Sequence, residues 1–261
     1  MIFKTKHQKI KKNKKIGLAL GGGAVFGAAH IGVLKALEEF DISVSYIAGT
    51  SIGAFVSAFY AFNKNWEEIE KIAEDLKWLD ISGISLSKFG LLNNERLGKL
   101  IRKHIGNKKL EQSEIPVAMV ATDISTGEKI VLREGNAAEA VMASTCIPGI
   151  FVPVEINDNL LVDGGIVENV PITPLKEMGA NFIIGVDLMA EYKHKRPENI
   201  IEILLNAFDF TIISTTKSQT EEADLLIKPD LTAFNMVDTT QVADLIEEGY
   251  LGAKKVLKKL K

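Results

Sequence analysis

A single cysteine, Cys146, is all the thiol chemistry available to this chain of 261 residues. That excludes an internal disulfide and a multi-cysteine metal site, and nothing demands an oxidising compartment. Proline is scarce at 7 residues. No Pro- or Ser-rich linker and no internal repeat marks a place to cut the chain into domains. Long apolar runs free of glycine are missing as well. Residues 16–34 are uncharged and follow a lysine-rich start, but six of those 19 positions are glycine and His30 interrupts the run. Such a segment makes a weak, poorly packed helix in lipid, so it reads as neither signal peptide nor membrane span. The expectation is a soluble, cytoplasmic protein.

The composition that remains, 46% hydrophobic and 25% charged with 21 glycines, is that of an ordinary globular chain. Its length suits one large α/β domain. The net charge of -3 is unevenly spread: residues 1–15 hold seven lysines and no acid, which leaves -10 on the remaining 246 residues. Five further lysines at 254, 255, 258, 259 and 261 put residues 16–253 at -15. We therefore expect a basic, disordered arm over 1–15 and a single domain over 16–261. The arm reads first as a solvated tail, with contact to anionic lipid as the alternative.

Short β-rich runs alternate with longer helical periods, the pattern of a mainly parallel sheet covered by helices. Strands are expected at 16–20, 45–48, 117–122, 129–132, 151–156, 160–162, 181–188 and 224–228. Helices are expected at 28–40, 53–62, 66–79, 94–105, 136–145, 171–178, 199–218 and 241–260. Residues 81–94 fit no core element and read as an apolar flap.

Chemistry first appears at Gly49-Thr50-Ser51-Ile52-Gly53, a G-x-S-x-G pattern lying where a strand gives way to a helix. A serine on such a turn is held clear of the sheet, and the helix N-terminus favours developing negative charge. A second glycine-rich loop, residues 21–27 (GGGAVFG), also sits between strand and helix. Its backbone amides suit a phosphate or a tetrahedral oxyanion. A dinucleotide is disfavoured, because Ala24 breaks the G-x-G-x-x-G spacing and the second strand ends on Tyr46, Ile47 and Ala48 rather than an acid.

The third element, Asp163-Gly164-Gly165, would ordinarily be just a turn. A serine nucleophile needs a base, however, and the histidines offer no obvious triad: His7 is in the basic arm, His104 late in a helix, His194 in a charged loop, and His30 behind the glycine loop. His30 reads as packed or hydrogen-bonded inside the fold and Cys146 as a small buried hydrophobe. Asp123 and Asp187 end strands and are weaker candidates for the base. A conventional α/β-hydrolase with Ser51, Asp163 or Asp187 and His194 has the right chain order, but it needs more sheet before the nucleophile than 50 residues supply.

Taken together, IGLALGGGAVFGAAHIGVLKALEE, AGTSIGA, ASTCIPGIFVPVEI and LVDGGIVENVPITPLKEMGANFIIGVDL closely resemble the bacterial patatin-like phospholipases across residues 15–230. The resemblance implies an α/β fold, a three-layer α/β/α sandwich. It also implies a lipid acyl hydrolase with a Ser-Asp dyad, Ser51 as nucleophile and Asp163 as base, and no metal or organic cofactor. The oxyanion donors carry over to the amides of Gly22, Gly23 and Ala24, joined by that of Ile52. Gly27, Gly49, Gly53, Gly164 and Gly165 complete the motifs. The implied partner is a phospholipid, lysophospholipid or other acyl ester, not a nucleic acid, with peripheral contact to an anionic inner membrane surface as a further option.

The chain departs from the family's Gly-Gly-Gly-x-Arg/Lys-Gly at two positions. Ala24 replaces a glycine, a tolerable change if its φ is negative. Phe26 replaces a cation and is expected in a surface turn, where its effect would fall on rate and head-group preference. A non-catalytic adaptor keeping the fold is the remaining alternative. Residues 81–94 and 150–154 are the expected walls of an acyl groove.

Overall fold

The computed structural model describes residues 14–74, 83–84, 90, 92–192, 196–198 and 200–259. Most of the basic arm, most of the 81–94 segment, His7 and His194 lie outside the described residues.

The strand β1 (Ile16–Leu20) is buried along its whole length, as expected of an apolar run without polar alternation. It lies inside an eight-stranded sheet. On one side it pairs parallel with β2 (Tyr46–Thr50), which pairs parallel with β5 (Val117–Asp123). On the other it pairs parallel with β9 (Phe182–Val186), followed by β10 (Leu225–Ile227). Antiparallel strands finish the far edge: β6 (Lys129–Leu132) and β8 (Asn159–Asp163) both pair with β5, and β7 (Val154–Ile156) pairs with β8. Two-residue strands β3 (Gly83–Ile84) and β4 (Leu92–Asn93) form a separate antiparallel pair.

The period of two along each strand sorts the core into two layers. Leu18, Leu20, Ile47 and Ile184 belong to a large cluster that includes apolar residues of α1 (Ala28–Glu39), α2 (Ile52–Ala61) and α9 (Val242–Leu257). The intervening Ala19, Ala48 and Ala118 face a smaller cluster with Ile172 and Leu175 of α7 (Ile172–Glu177). Helices cover both faces of a mainly parallel sheet, as the alternating pattern predicts, and so make the three-layer sandwich that the resemblance implies. The remaining helices are α3 (Trp66–Glu74), α4 (Glu95–Ile105), α5 (Ala137–Ser144), α6 (Gly165–Glu168) and α8 (Ile200–Thr220). Among the described residues, no helix is long and apolar enough to cross a membrane.

Most element boundaries fall within a few residues of expectation. Residues 151–153 are the main exception, because the sheet begins only at Val154. Phe151 instead makes an isolated bridge to Leu92 and is buried with Cys146 and Ile150. The short α6 was not anticipated, since Asp-Gly-Gly reads as a turn. Its first bonds run from the Val167 and Glu168 amides to the Gly164 carbonyl.

Candidate active site

Ser51 occupies the single residue between β2 and α2, at φ 55 and ψ -127. A positive φ in a residue with a Cβ is strained, at roughly 1–3 kcal/mol, and persists only where the surroundings hold it. The Ser51 N–H donates to Ser144 Oγ at 3.0 Å, and that hydroxyl donates to the Val120 carbonyl at 2.6 Å. Thr50 Oγ1 donates to the Glu168 carbonyl at 2.9 Å. The chain crosses itself so closely that a Cβ on Gly49 would lie 2.4 Å from the Gly53 carbonyl oxygen, and one on Gly53 would lie 2.0 Å from that of Leu20. Both motif glycines are therefore set by close backbone approach.

Strand β5 acts as a common ruler for Ser51 and Asp163. Thr50 is level with Val120 and Asp163 with Ala121, so the residue after β2 and the residue ending β8 reach nearly the same height. Asp163 is wholly buried. Its N–H donates to the Cys146 carbonyl, its carbonyl accepts from Thr122 Oγ1, and its Oδ1 accepts the Gly165 N–H at 2.8 Å. Burial drives its pKa up to about 7; the Ser51 hydroxyl and the Gly165 amide oppose this, and the charge of Asp209 adds to it. Asp163 Oδ2 is buried with no hydrogen-bond partner among the described residues.

The glycine loop leaves β1 at Leu20. The Gly22 N–H is already used, donating to Asn169 Oδ1 at 2.9 Å. Among the described residues, the amides of Gly23, Ala24 and Ile52 make no hydrogen bond, and Gly23, Ala24 and Ser51 border one cavity. Gly27 packs beneath Ile52, and Gly164 against the backbone of Val120.

At the two departures from the family pattern, the condition set for Ala24 is not met and the placement expected of Phe26 is overturned. Ala24 has φ +49, not a negative value, so the loop carries a left-handed residue with a Cβ. Phe26 is fully buried rather than in a surface turn. Residues Ala24–Gly27 form one turn of 3-10 helix, which swings this side chain inward to meet the Tyr192 ring edge-on at 5.6 Å.

His30 is wholly buried and held near pKa 4 by that burial, so it is neutral at neutral pH. Its Nε2 lies 2.7 Å from the Gly21 carbonyl, which can only accept, so the ring proton sits on Nε2. Asp123 and Asp187 cap turns through the Ser125 and Met189 amides. Cys146 donates to the Val152 carbonyl and is pushed up to about 12 by burial. Sequence reasoning missed Ser144 and Asn169, both fully buried polar residues.

A cavity of about 410 Å³ opens beside Ser51. Its walls are not residues 150–154. They come from α8, through Leu205, Phe208 and Ile212, and from the 232–237 loop, through Phe234 and Met236. Arg196, Glu198, Glu202 and Asp209 add charge to the lining. The arrangement joins a strained serine, a buried carboxylate of raised pKa, unused amides and a largely apolar chamber, the requirements for acyl transfer to a serine hydroxyl. No group of three or more His, Cys, Asp or Glu residues that could hold a metal ion occurs among the described residues.

Residues 18–176 match the family model of patatin-like phospholipases. An uncharacterized NTE family protein of Mycobacterium bovis is 35% identical over 179 residues, covering 67% of this chain and 49% of that protein. A lysophospholipase NTE1 of Cryptococcus neoformans is 36% identical over 181 residues, covering 67% of this chain but 11% of that protein. The chain thus spans about half the length of the first relative and a small part of the second. Among solved structures, VipD from Legionella pneumophila shares the fold with a TM-score of 0.61 at 15% identity, over 96% of this chain and 69% of that one.

Proposed function

This chain belongs to the patatin-like phospholipase family, and from that premise we propose that it is a lipid acyl hydrolase working through an acyl-Ser51 intermediate, with Asp163 as base. The observation that carries the reading is the wholly buried Asp163 carboxyl, raised to about 7 by burial, with Oδ2 lacking a hydrogen-bond partner and the Ser51 side chain among the groups that act on its charge. A carboxylate of that basicity takes a hydroxyl proton far more readily than an ordinary aspartate. Ser51 Oγ attacks the ester carbonyl as its proton passes to Asp163, and the Gly23, Ala24 and Ile52 amides receive the oxyanion. Asp163 returns the proton to the leaving alcohol. The regenerated carboxylate then draws a proton from water, which cleaves the acyl-serine bond.

The apolar chamber suits the acyl chain. A lysophospholipid or a neutral acyl ester fits the reading, in line with the name of the fungal relative. The lysine-rich arm would bring an otherwise acidic body to anionic lipid, where such substrates reside. Fluorophosphonate labelling followed by peptide mapping tests the proposal: modification at Ser51, with fatty acid release from a lysophospholipid, is expected. An unlabelled Ser51 in an active preparation would overturn it.

A further inference from the structure

The Gly21 carbonyl and the Gly22 N–H belong to one peptide group, and two wholly buried side chains grip its opposite ends. His30 Nε2 donates to the carbonyl at 2.7 Å, and Asn169 Oδ1 accepts the N–H at 2.9 Å. We propose that His30 and Asn169 are positioning residues that clamp this peptide plane and thereby aim the Gly23 and Ala24 amides at the oxyanion. The proposal rests on the acyl-hydrolase reading and adds to it the means by which the donor loop keeps its shape.

A run of three glycines has almost no intrinsic backbone preference, so the peptide planes of residues 21–23 can rotate unless something fixes them. The preceding plane is fixed by the sheet, where the Gly21 N–H donates to the Val186 carbonyl at 3.1 Å. Beyond it the loop has no ladder. Rotating the next plane would break both side-chain bonds at once, leaving a buried donor and a buried acceptor without partners. Each such loss is unfavourable, because a buried polar group then keeps its desolvation cost with no bond to offset it. With that plane held, the pair that follows, Gly23 at φ 157 and the strained Ala24 at φ 49, starts from one direction only.

Among the described residues, neither side chain makes a second hydrogen bond. His30 Nδ1 and Asn169 Nδ2 are both buried without a partner, so for each the peptide bond is its hydrogen-bonding role among the described residues. Asn169 also sits one residue beyond α6, in the segment that carries Asp163, and Glu168 beside it holds Thr50 through its carbonyl. The base, the nucleophile elbow and the donor loop are thus tied through residues 163–169.

The test uses the full chain with p-nitrophenyl butyrate and a trifluoromethyl ketone, which adds to the serine as a tetrahedral oxyanion mimic. Asn169→Leu fills the same space without an acceptor, and His30→Leu does so without a donor. Each is expected to lower kcat about 100-fold, with KM within about threefold of wild type, and to weaken the ketone about as much as kcat falls. His30→Gln, whose amide can still donate to the Gly21 carbonyl, should recover at least a tenth of wild-type kcat.

A purely structural role would lower Tm and leave kcat and ketone affinity alone. That result, or a loss confined to KM, overturns the clamp. If Asn169→Leu does not fold, the His30 pair decides, since rescue by Gln but not Leu follows only from the donor. Fluorophosphonate labelling of wild-type Ser51 keeps the two readings apart. Labelled Ser51 with unimpaired variants sinks the clamp alone, whereas unlabelled Ser51 sinks the hydrolase reading on which it rests.

Discussion

Ser144 holds Ser51 by its backbone: one hydroxyl accepts the Ser51 N–H at 3.0 Å while donating to Val120 at 2.6 Å. The strained φ of 55 is therefore tied to the middle of β5 by a side chain, in addition to the elbow's own turn, in which the Ala54 and Phe55 amides donate to the Ser51 carbonyl. Ser144→Ala removes that tie. It should lower kcat about 10- to 100-fold through misplacement of Oγ. Stability should fall by about 1–3 kcal/mol, because the Ser51 N–H is left without a partner. Steady-state kinetics with p-nitrophenyl butyrate, together with a thermal melt, check both. Unchanged kcat would mean that the elbow holds its geometry unaided.

Ser51→Ala and Asp163→Asn should each abolish ester hydrolysis, because nucleophile and base act as one unit. His194→Ala should leave turnover as it is. The triad alternative requires the opposite for His194, so that single variant separates the two mechanisms.

Burial of Asp163 has two consequences with pH. The base must be ionised, so kcat/KM should rise with pH through a midpoint near 7, the value to which burial raises this carboxyl, rather than near 4. For stability the sign is the reverse. The folded-state pKa lies above the unfolded one of 3.8, so the fold favours the protonated acid. This stabilisation is complete below about pH 4 and is lost as pH rises through 7. Asp163→Asn, neutral throughout and still able to accept from Gly165, should match wild type in Tm near pH 4. At pH 8 its Tm should exceed that of wild type, corresponding to an unfolding free energy higher by an amount on the order of a few kcal/mol. A Tm difference that does not change with pH would show that Asp163 keeps an ordinary carboxylate pKa.

How much of this was legible in the sequence depends on how far apart the partners lie. The Ser51 elbow is local: strand, glycine, serine and helix are consecutive, and their geometry follows from close approach at Gly49 and Gly53. Ser144 and Asn169 stand 93 and 147 residues from the backbone groups they hold. A lone serine or asparagine carries no pattern that reveals such a role. Helix α8 was legible as a helix, but not as a wall of the cavity, since that depends on which strand ends it overhangs. Phe26 was misread because one turn of 3-10 helix reverses which side chains of the loop face the core.

That reversal changes what Phe26→Arg should do. In a surface turn the arginine would restore a cation at little expense, but here it replaces a fully buried ring packed on Tyr192. An unpaired buried charge destabilises by about 3–5 kcal/mol. The variant should therefore show a lower Tm, with losses on anionic and neutral esters alike. A selective gain on anionic phospholipids, with Tm intact, would put the side chain back at the surface.

The cavity walls make the last prediction, because they decide which residues read acyl chain length. Leu205 lines the chamber from α8 and also packs against the buried cluster of Cys146, Ile150 and Phe151, so a larger side chain there has little room to turn away from the cavity. Leu205→Trp should occupy space that a long chain needs and leave Ser51 and the donor amides untouched. Relative to wild type, kcat/KM for a long-chain p-nitrophenyl ester should fall at least about tenfold against that for the acetate, the discrimination expected when an apolar pocket loses room for a methylene or two. Val152→Trp, in the segment first expected to form the groove, should leave the ratio unchanged, since that residue does not border the cavity. If Val152 shifts the ratio and Leu205 does not, the acyl chain runs over residues 150–154 and not beneath α8.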